Sequence, residues 1–341
     1  MTNYFGLDIG SSSIKVTQSS LMGSKAYTVE AFGLAMNPAG SVDFTNPVVT
    51  EKLAAAVKQL LGEAKIHEKR VVVSVAESKV YSRILLMPIM SEAELSSAIK
   101  WEAEQFVPIP VSEVELDFSI IQENVSGLDE KKMLVYLVAA PKKYLQAMVD
   151  FLSGIGLEPI AVESEMVAVS RALTFGSNLG TSLILHMGAM SSVLAIVDGS
   201  SLSFSYVAES GGVSMTRALS QSLSLPLPQA EEYKRTYGLD EKQLEGKVRS
   251  GLLIVLDEIV NEMRKAMEYH LSSRKSRVTR IILSGGGAYL PDFAPYLSQV
   301  FGGIEVVVGD PFAVAKPGRG IAIPRERAVY SVSVGLSQRV F

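Results

Sequence analysis

One pattern occurs twice in this chain and limits the folds open to it. Residues 4–36 read as three strands, Tyr4–Ile9, Ile14–Ser19 and Ala26–Met36, joined by polar and glycine turns. Residues 182–208 repeat the order with Ser182–His186, Ser192–Val197 and Leu202–Ala208. Each triplet then crosses to a helix, Thr50–Lys65 in the first half and Val213–Leu223, opened by Gly211-Gly212, in the second. Such a repeat predicts two copies of one α/β fold.

Between the copies the spacing changes. A buried-type strand Arg70–Val75 leads to strand Ser82–Met87 and helix Glu92–Phe106. Ser91 and Glu94 form a capping box ahead of that helix, and Pro108 and Pro110 end it. Strands Glu115–Glu123 and Lys132–Ala140, joined by a turn at Ser126-Gly127-Leu128-Asp129, and helix Lys142–Gly154 complete a β-α-β-β-α block over residues 76–158. Strand Glu158–Val162 and helix Ser164–Thr174 return to the first copy.

The second half continues through a Pro-flanked helical insertion, Pro226–Gly246, and a long helix, Gly251–Leu271. Strand Arg280–Leu283, helix Pro291–Phe301 and helix Ala328–Gln338 follow. The expected division is therefore 1–75 plus 159–178, an extra subdomain 76–158, 179–225 plus 275–341, and a helical insertion 226–274.

Composition excludes several classes. With 48% apolar residues the chain can bury a large core. A net charge of −4 argues against a nucleic-acid binder. No cysteine is present, and three histidines, His67, His186 and His270, make no metal cluster. No secretory signal is visible at the N-terminus. The uncharged stretch Ala172–Val197 is broken by Gly176, Gly180 and Gly188 and reads as short strands, not a membrane span.

Three motifs can carry chemistry. In G-L-D-I-G-S-S-S-I-K, Gly6 to Lys15, a small-residue turn lets backbone amides converge on an anion. Gly10, Ser11, Ser12 and Ser13 form that turn, Lys15 offers a point charge, and Asp8 can hold the water shell of Mg²⁺. An ordinary hairpin explains the small residues but not an acid inside an apolar strand. L-H-M-G-A-M-S-S, Leu185 to Ser192, places Gly188 at the same point of the second copy, and a plain hairpin explains it equally well. L-S-G-G-G-A-Y-L-P-D-F, Leu283 to Phe293, brings Gly285, Gly286 and Gly287 between a strand and a helix, where a flat group could lie on the backbone.

Two phosphate-type turns in duplicated halves and a late glycine triplet resemble the actin-like ATPase fold, shared with heat-shock ATPases and sugar kinases. That fold has two lobes, each a ribonuclease H-like domain, that clamp ATP and Mg²⁺ between two hairpins. The resemblance implies cofactor contacts from Asp8, Gly10–Ser13, Lys15, Gly188, Gly212 and Gly285–Gly287. A-E-E-Y-K, Ala230 to Lys234, resembles the helix whose Glu and Lys reach ribose and adenine, pointing to Glu231 and Lys234. A solvated helix face is the alternative.

The block at 76–158 resembles the extra subdomain of FtsA and PilM. A-I-K-W-E-A-E-Q-F-V-P-I-P (Ala98–Pro110), E-L-D-F (Glu115–Phe118) and A-A-P-K (Ala139–Lys142) are similar to the PilM family. FtsA usually ends in a basic amphipathic membrane helix, for which S-V-G-L-S-Q-R-V-F gives no counterpart. The resemblance implies a cytoplasmic ATP-binding scaffold of a type IV pilus or type II secretion-like machine. It would be held at the inner face of the membrane by the N-terminal peptide of a PilN-like partner, in a groove between the extra subdomain and the first lobe. It also implies contacts with other platform proteins, leaves self-association open, and predicts no direct membrane anchor. An FtsA-like filament protein and a sugar kinase-like phosphotransferase are the rival readings.

One departure stands out. The family's second turn begins D-x-G, whereas this chain has His186-Met187-Gly188. A neutral imidazole does not replace a hard oxygen ligand for Mg²⁺, which weakens the expectation of hydrolysis more than that of binding. Glu163 and Glu165 are the candidates to position an attacking water, although acids also suit a helix start structurally. Trp101 lies off the stripe Leu95, Ile99, Glu102 and Phe106, as a contact anchor or a cover for the subdomain core.

Overall fold

The computed structural model describes residues 4–23, 25–125, 131–177 and 179–341. The expected turn at Ser126-Gly127-Leu128-Asp129 lies outside the described residues.

Both copies form. In the first, β1 (Phe5–Ile9), β2 (Ser13–Leu21) and β3 (Tyr27–Met36) pair antiparallel, while β4 (Arg70–Val75) and β8 (Glu158–Ser164) extend the sheet parallel to β1. In the second, β9 (Thr181–Met187), β10 (Ser192–Asp198) and β11 (Ser201–Ala208) pair antiparallel, and β12 (Arg280–Ser284) and β13 (Glu305–Val308) run parallel to β9. The orders β3-β2-β1-β4-β8 and β11-β10-β9-β12-β13 correspond strand for strand. Central strands such as β9 and β10 are covered on both faces, so their sequences run apolar without alternation.

Helix α1 (Pro47–Glu63) begins earlier than its apolar spacing suggests, because Asn46 caps it and Pro47 takes its first position. Leu53, Val57 and Leu60 bury its inner face against Phe5, Leu7, Val71 and Val73.

The extra subdomain is smaller than the expected block. β5 (Tyr81–Pro88), β6 (Val114–Gln122) and β7 (Lys132–Pro141) form a separate sheet in the order β5-β7-β6. Helix α2 (Glu92–Phe106) covers it with Leu95, Ile99 and Ala103, and its Ser91–Glu94 capping box is formed. Trp101 is 63% exposed, so it does not cover this core. Helix α3 (Lys142–Gly154) was expected here, yet Met148, Phe151 and Leu152 bury into the core of the first sheet.

Two further corrections concern the second half. Helices α6 (Leu227–Tyr237) and α7 (Lys247–Arg274) do not form an insertion apart: Leu252, Leu256, Ile259 and Met263 of α7 share one core with Leu183, Leu185, Leu194 and Ile196 of the sheet. Residues 275–341 do not stay wholly with that sheet. After α8 (Phe293–Val300), which starts beyond the expected Pro291, β14 (Ala315–Pro317) pairs with β3, and α9 (Ser331–Ser337) lies on β1 and β2.

Helix α9 crosses α4 (Glu165–Thr174) at Gly335, where a β-carbon would overlap the carbonyl oxygen of Ala168. Helix α4 also joins the two halves, with Val72, Met166, Ala168 and Val169 packed in one core with Ile184, Val193 and Ala195. Among the described residues no helix is long and apolar enough to cross a membrane.

Candidate functional site

The two hairpin turns follow β1 and β9, and Glu165 at the start of α4 feels a charge from each, that of Lys15 and that of His186. In the first, the Gly10 amide donates to the Ser13 carbonyl at 3.0 Å. Asn37, at the end of β3, donates from its side chain to the Gly10 carbonyl at 2.9 Å and from its backbone to the Ser12 carbonyl at 2.9 Å. In a trans peptide the amide points opposite the carbonyl, so the Ser11 N–H is aimed away from Asn37. Asp8 and Lys15 are cross-strand partners, and Lys15 Nζ lies 3.0 Å from Asp8 Oδ2. Ser74 Oγ, 3.4 Å from Asp8 Oδ1, supplies a second donor.

The second turn has the same backbone but other chemistry. The Gly188 amide donates to the Ser191 carbonyl at 3.0 Å. Helix α5 (Gly212–Leu223) begins against this turn, with the Gly212 amide 3.0 Å from the Gly188 carbonyl. His186 Nε2 lies 3.2 Å from Glu165 Oε1, and its Nδ1 lies 3.0 Å from Ser284 Oγ. Ser284 is fully buried, so this Ser–His–acid chain has no route to a substrate. Burial raises the Glu165 carboxyl, but the His186 hydrogen bond and charge and the Lys15 charge outweigh it and hold the group below its ordinary value.

The glycine triplet approaches the second turn from behind. Gly285 has φ +77°, and a β-carbon there would overlap the Met187 carbonyl oxygen. A β-carbon on Gly286 would meet nothing within 4 Å, so its backbone faces open space. Glu231 and Lys234 of α6 meet the start of α5: Lys234 Nζ donates to the Gly212 carbonyl at 2.9 Å, to Thr216 Oγ1 at 2.9 Å and to Glu231 Oε2 at 2.7 Å. Lys234 is buried, which rules out a solvated face for it, while the Glu231 side chain remains 44% exposed.

The two acids proposed to position water separate. Glu165 sits between the halves on His186, whereas Glu163 is claimed by Arg171, 2.7 Å away, and Arg339, 2.8 Å away. Arg171 also donates to the Gly335 carbonyl at 2.8 Å, so Glu163 braces the α4–α9 crossing.

Sequence reading missed Asn37 and Glu77. Glu77 is buried in the A-E-S-K turn after β4, a polar turn residue by sequence whose partners all come from distant elements. Its Oε1 accepts from Ser82 Oγ at 2.7 Å and faces the Tyr136 hydroxyl at 3.3 Å. Its backbone N–H donates to Glu165 Oε2 at 3.4 Å. Burial, with the neighbouring Glu165 charge, pushes the Glu77 carboxyl above its ordinary value.

A cavity of about 670 Å³ opens beside α4, away from the hairpin turns. Its walls include Ser119 and Ile121 of β6, Tyr136 of β7, Val167 and Ser170 of α4, and Leu202 of β11.

A family model described as type IV pilus assembly protein PilM matches residues 6–341. The chain belongs to this family. A solved structure titled PilM-PilN type IV pilus biogenesis complex is similar over 98% of each chain, at 25% identity and a TM-score of 0.84. The ethanolamine utilization protein EutJ of Carboxydothermus hydrogenoformans shares the fold at 15% identity and TM-score 0.57, covering 98% of this chain and 88% of that one. MreB5 of Spiroplasma citri, solved bound to ADP, shares it at 12% identity and TM-score 0.53, covering 97% and 94%. The two-lobed actin-like fold expected from the duplicated hairpins is thus present, in a PilM family member.

Proposed function

We propose that the chain is a nucleotide-binding scaffold of a type IV pilus assembly complex that holds the cytoplasmic N-terminal peptide of a PilN-like membrane partner. The observation that carries this reading is the whole-chain similarity to the PilM of a PilM-PilN complex. Such a partner would keep the protein at the inner face of the cytoplasmic membrane.

The cleft suits ATP. Ser11 offers an amide and Lys15 a charge to the phosphates, and Gly286 leaves room for the base. Glu231 retains exposed surface for a ribose hydroxyl. Asp8, beside the first turn with its Oδ1 3.4 Å from the Ser74 hydroxyl, would hold Mg²⁺ through water with the phosphates completing its shell. Mg²⁺ would there neutralise phosphate charge. Glu165, tied to His186, is not free to orient water, so turnover is slow or absent.

The cavity beside α4 is the proposed seat of the peptide, because the extra subdomain and the first lobe both wall it and its lining mixes hydroxyls with Ile121, Phe175 and Leu202. Trp101 is not among those walls and has no role in this seat.

Two measurements test the reading. MgATP at millimolar concentration should raise the melting temperature, since a ligand of the folded form stabilises it. A labelled N-terminal peptide of the PilN-like protein should bind by fluorescence polarisation. Ser177→Trp and Ser200→Trp, which fill the cavity from exposed positions, should abolish that signal and spare the MgATP shift. Full peptide affinity in both variants would remove the cavity from the proposal.

A further inference from the structure

Helix α4 has two ends with different surroundings. Its N-terminus is held in the cleft, where Glu165 meets His186 and Ser164 caps the helix by accepting from the Val167 amide at 3.4 Å. Its following turns, through Val167, Ser170, Arg171 and Thr174, wall the cavity. Any ligand in either place therefore bears on the same helix.

Glu77 ties that helix to the extra subdomain. One carboxylate oxygen takes Ser82 of β5 at 2.7 Å and the Tyr136 hydroxyl of β7 at 3.3 Å, and the other takes the Met166 amide of α4 at 3.5 Å. Ser284, His186, Glu165, Glu77 and Tyr136 thus form one continuous polar chain from the second sheet to the cavity wall.

The chain contains an element with two discrete settings. The Tyr136 hydroxyl lies 2.9 Å from Ser164 Oγ and 3.3 Å from Glu77 Oε1. A phenol has one proton, so it donates to one of these at a time; when it turns to Glu77, the Ser164 hydroxyl can donate to the phenol oxygen in return. One setting points the phenol proton at the residue that caps α4, and the other points it at Glu77. The Tyr136 ring also lines the cavity, so an occupant packed on it can bias that choice. A nucleotide that draws on Glu165 or His186 biases it from the opposite end.

We propose that Glu77 and Tyr136 are positioning residues that couple nucleotide binding in the cleft to peptide binding in the cavity. This rests on the function proposed above and adds the route by which its two sites act on each other. By linkage, the nucleotide must change peptide affinity by the same factor as the peptide changes nucleotide affinity. A hub that merely glued the subdomain in place would set stability and leave this factor untouched.

The experiment uses the full chain, a labelled N-terminal peptide of the PilN-like protein and the non-hydrolysed analogue AMPPNP with Mg²⁺. Peptide affinity is measured by polarisation with and without saturating AMPPNP, and nucleotide affinity with and without peptide. In the unaltered protein the two ratios should agree and differ from one by about tenfold, a usual size for such coupling. Tyr136→Phe keeps the ring on the cavity wall but removes the shared proton. It should bring both ratios to within about twofold of one, whatever it does to either affinity alone. Glu77→Gln is the second variant. With its amide oxygen kept toward Ser82 and Tyr136, its nitrogen meets the Met166 N–H donor to donor, so the link to α4 breaks and the ratios should fall likewise.

A ratio of one in the unaltered protein, with both ligands bound, overturns the coupling and leaves the proposed function standing. Retention of the tenfold ratio in Tyr136→Phe and Glu77→Gln also overturns it. Failure of the unaltered protein to bind either probe overturns the function and the coupling together.

Discussion

The two hairpin turns have one backbone and two chemistries. Both close with a glycine amide on the carbonyl three residues on, at 3.0 Å. In the first turn an acid, Asp8, is held by a lysine from the facing strand, and the turn is braced by the Asn37 side chain. In the second, the matching residue is His186, and its partners Glu165 and Ser284 come from α4 and β12. The first turn keeps its charge pair within itself, and the second spends its side chain on joining the halves. A duplicated fold can thus keep one turn geometry while the side chains of one copy serve as a brace between the halves.

The sharpest way to break that comparison is to disturb the second turn's brace. A β-carbon at Gly211 would lie 2.7 Å from the Ala189 carbonyl oxygen and 2.8 Å from both the Gly188 carbonyl oxygen and the Ser191 nitrogen, all of them backbone atoms. Gly211→Ala should cost about 3 kcal/mol in chemical denaturation, the upper end for overpacking. A cost under about 0.5 kcal/mol, the range of bland surface changes, would show that α5 does not lock this turn.

Next in size is conversion of the second turn to the chemistry of the first. His186→Asp would set a carboxylate beside Glu165, which loses its imidazole partner. Without metal the variant should be less stable by roughly 2 kcal/mol, as expected when a buried charge loses its hydrogen-bond partner. Mg²⁺ with ATP should recover more stability than in the parent and raise phosphate release. Brisk Mg²⁺-dependent phosphate release by the unaltered protein would contradict the bracing role of His186.

Asp8→Asn tests the first turn. MgATP affinity should fall about tenfold or more, the equivalent of ~1.5 kcal/mol for a lost charged interaction. Isothermal titration would show it, and an unchanged affinity would mean that the metal does not depend on Asp8.

The smallest effect concerns pH. Burial, reinforced by the Glu165 charge, raises the folded-state Glu77 carboxyl, so the folded chain binds a proton more tightly there than the unfolded one. The stability tied to that proton is complete below the ordinary Glu range and is lost as pH rises toward the raised value. Glu77→Gln removes this dependence. Its stability relative to the parent should grow with pH above the ordinary Glu range, by at most ~1.4 kcal/mol per unit, and then level off. A gap that stays constant with pH would remove the raised carboxyl from the account.

Much of this was legible in the sequence because hairpins are local. β1 to β3 and β9 to β11 each declare themselves by strand runs and small-residue turns, and the Ser91–Glu94 capping box needs only four residues. Pairings across the chain were not legible. Nothing within residues 315–317 says that a three-residue strand will add to β3, and the amphipathic face of α3 shows that it is buried but not against which sheet. The site divides in the same way. Asp8 and Lys15 are seven residues apart, whereas one of the two arginines on Glu163 is 176 positions away, and Glu165 is held by a histidine from the other half.

The placement of α9 on β1 and β2 also sets the order in which the protein can mature. The Thr17 hydroxyl meets that of Ser333 at 2.8 Å across 316 positions, and the Tyr4 hydroxyl reaches the Ser337 carbonyl at 3.1 Å across 333. While the ribosome is still working, the first sheet is bare on the face that α9 will cover. Contacts of such separation close slowly, and the uncovered apolar surface is open to wrong association meanwhile. The opening strands are made long before the helix that completes them, so a chaperone that shields nascent chains would find its site on those strands.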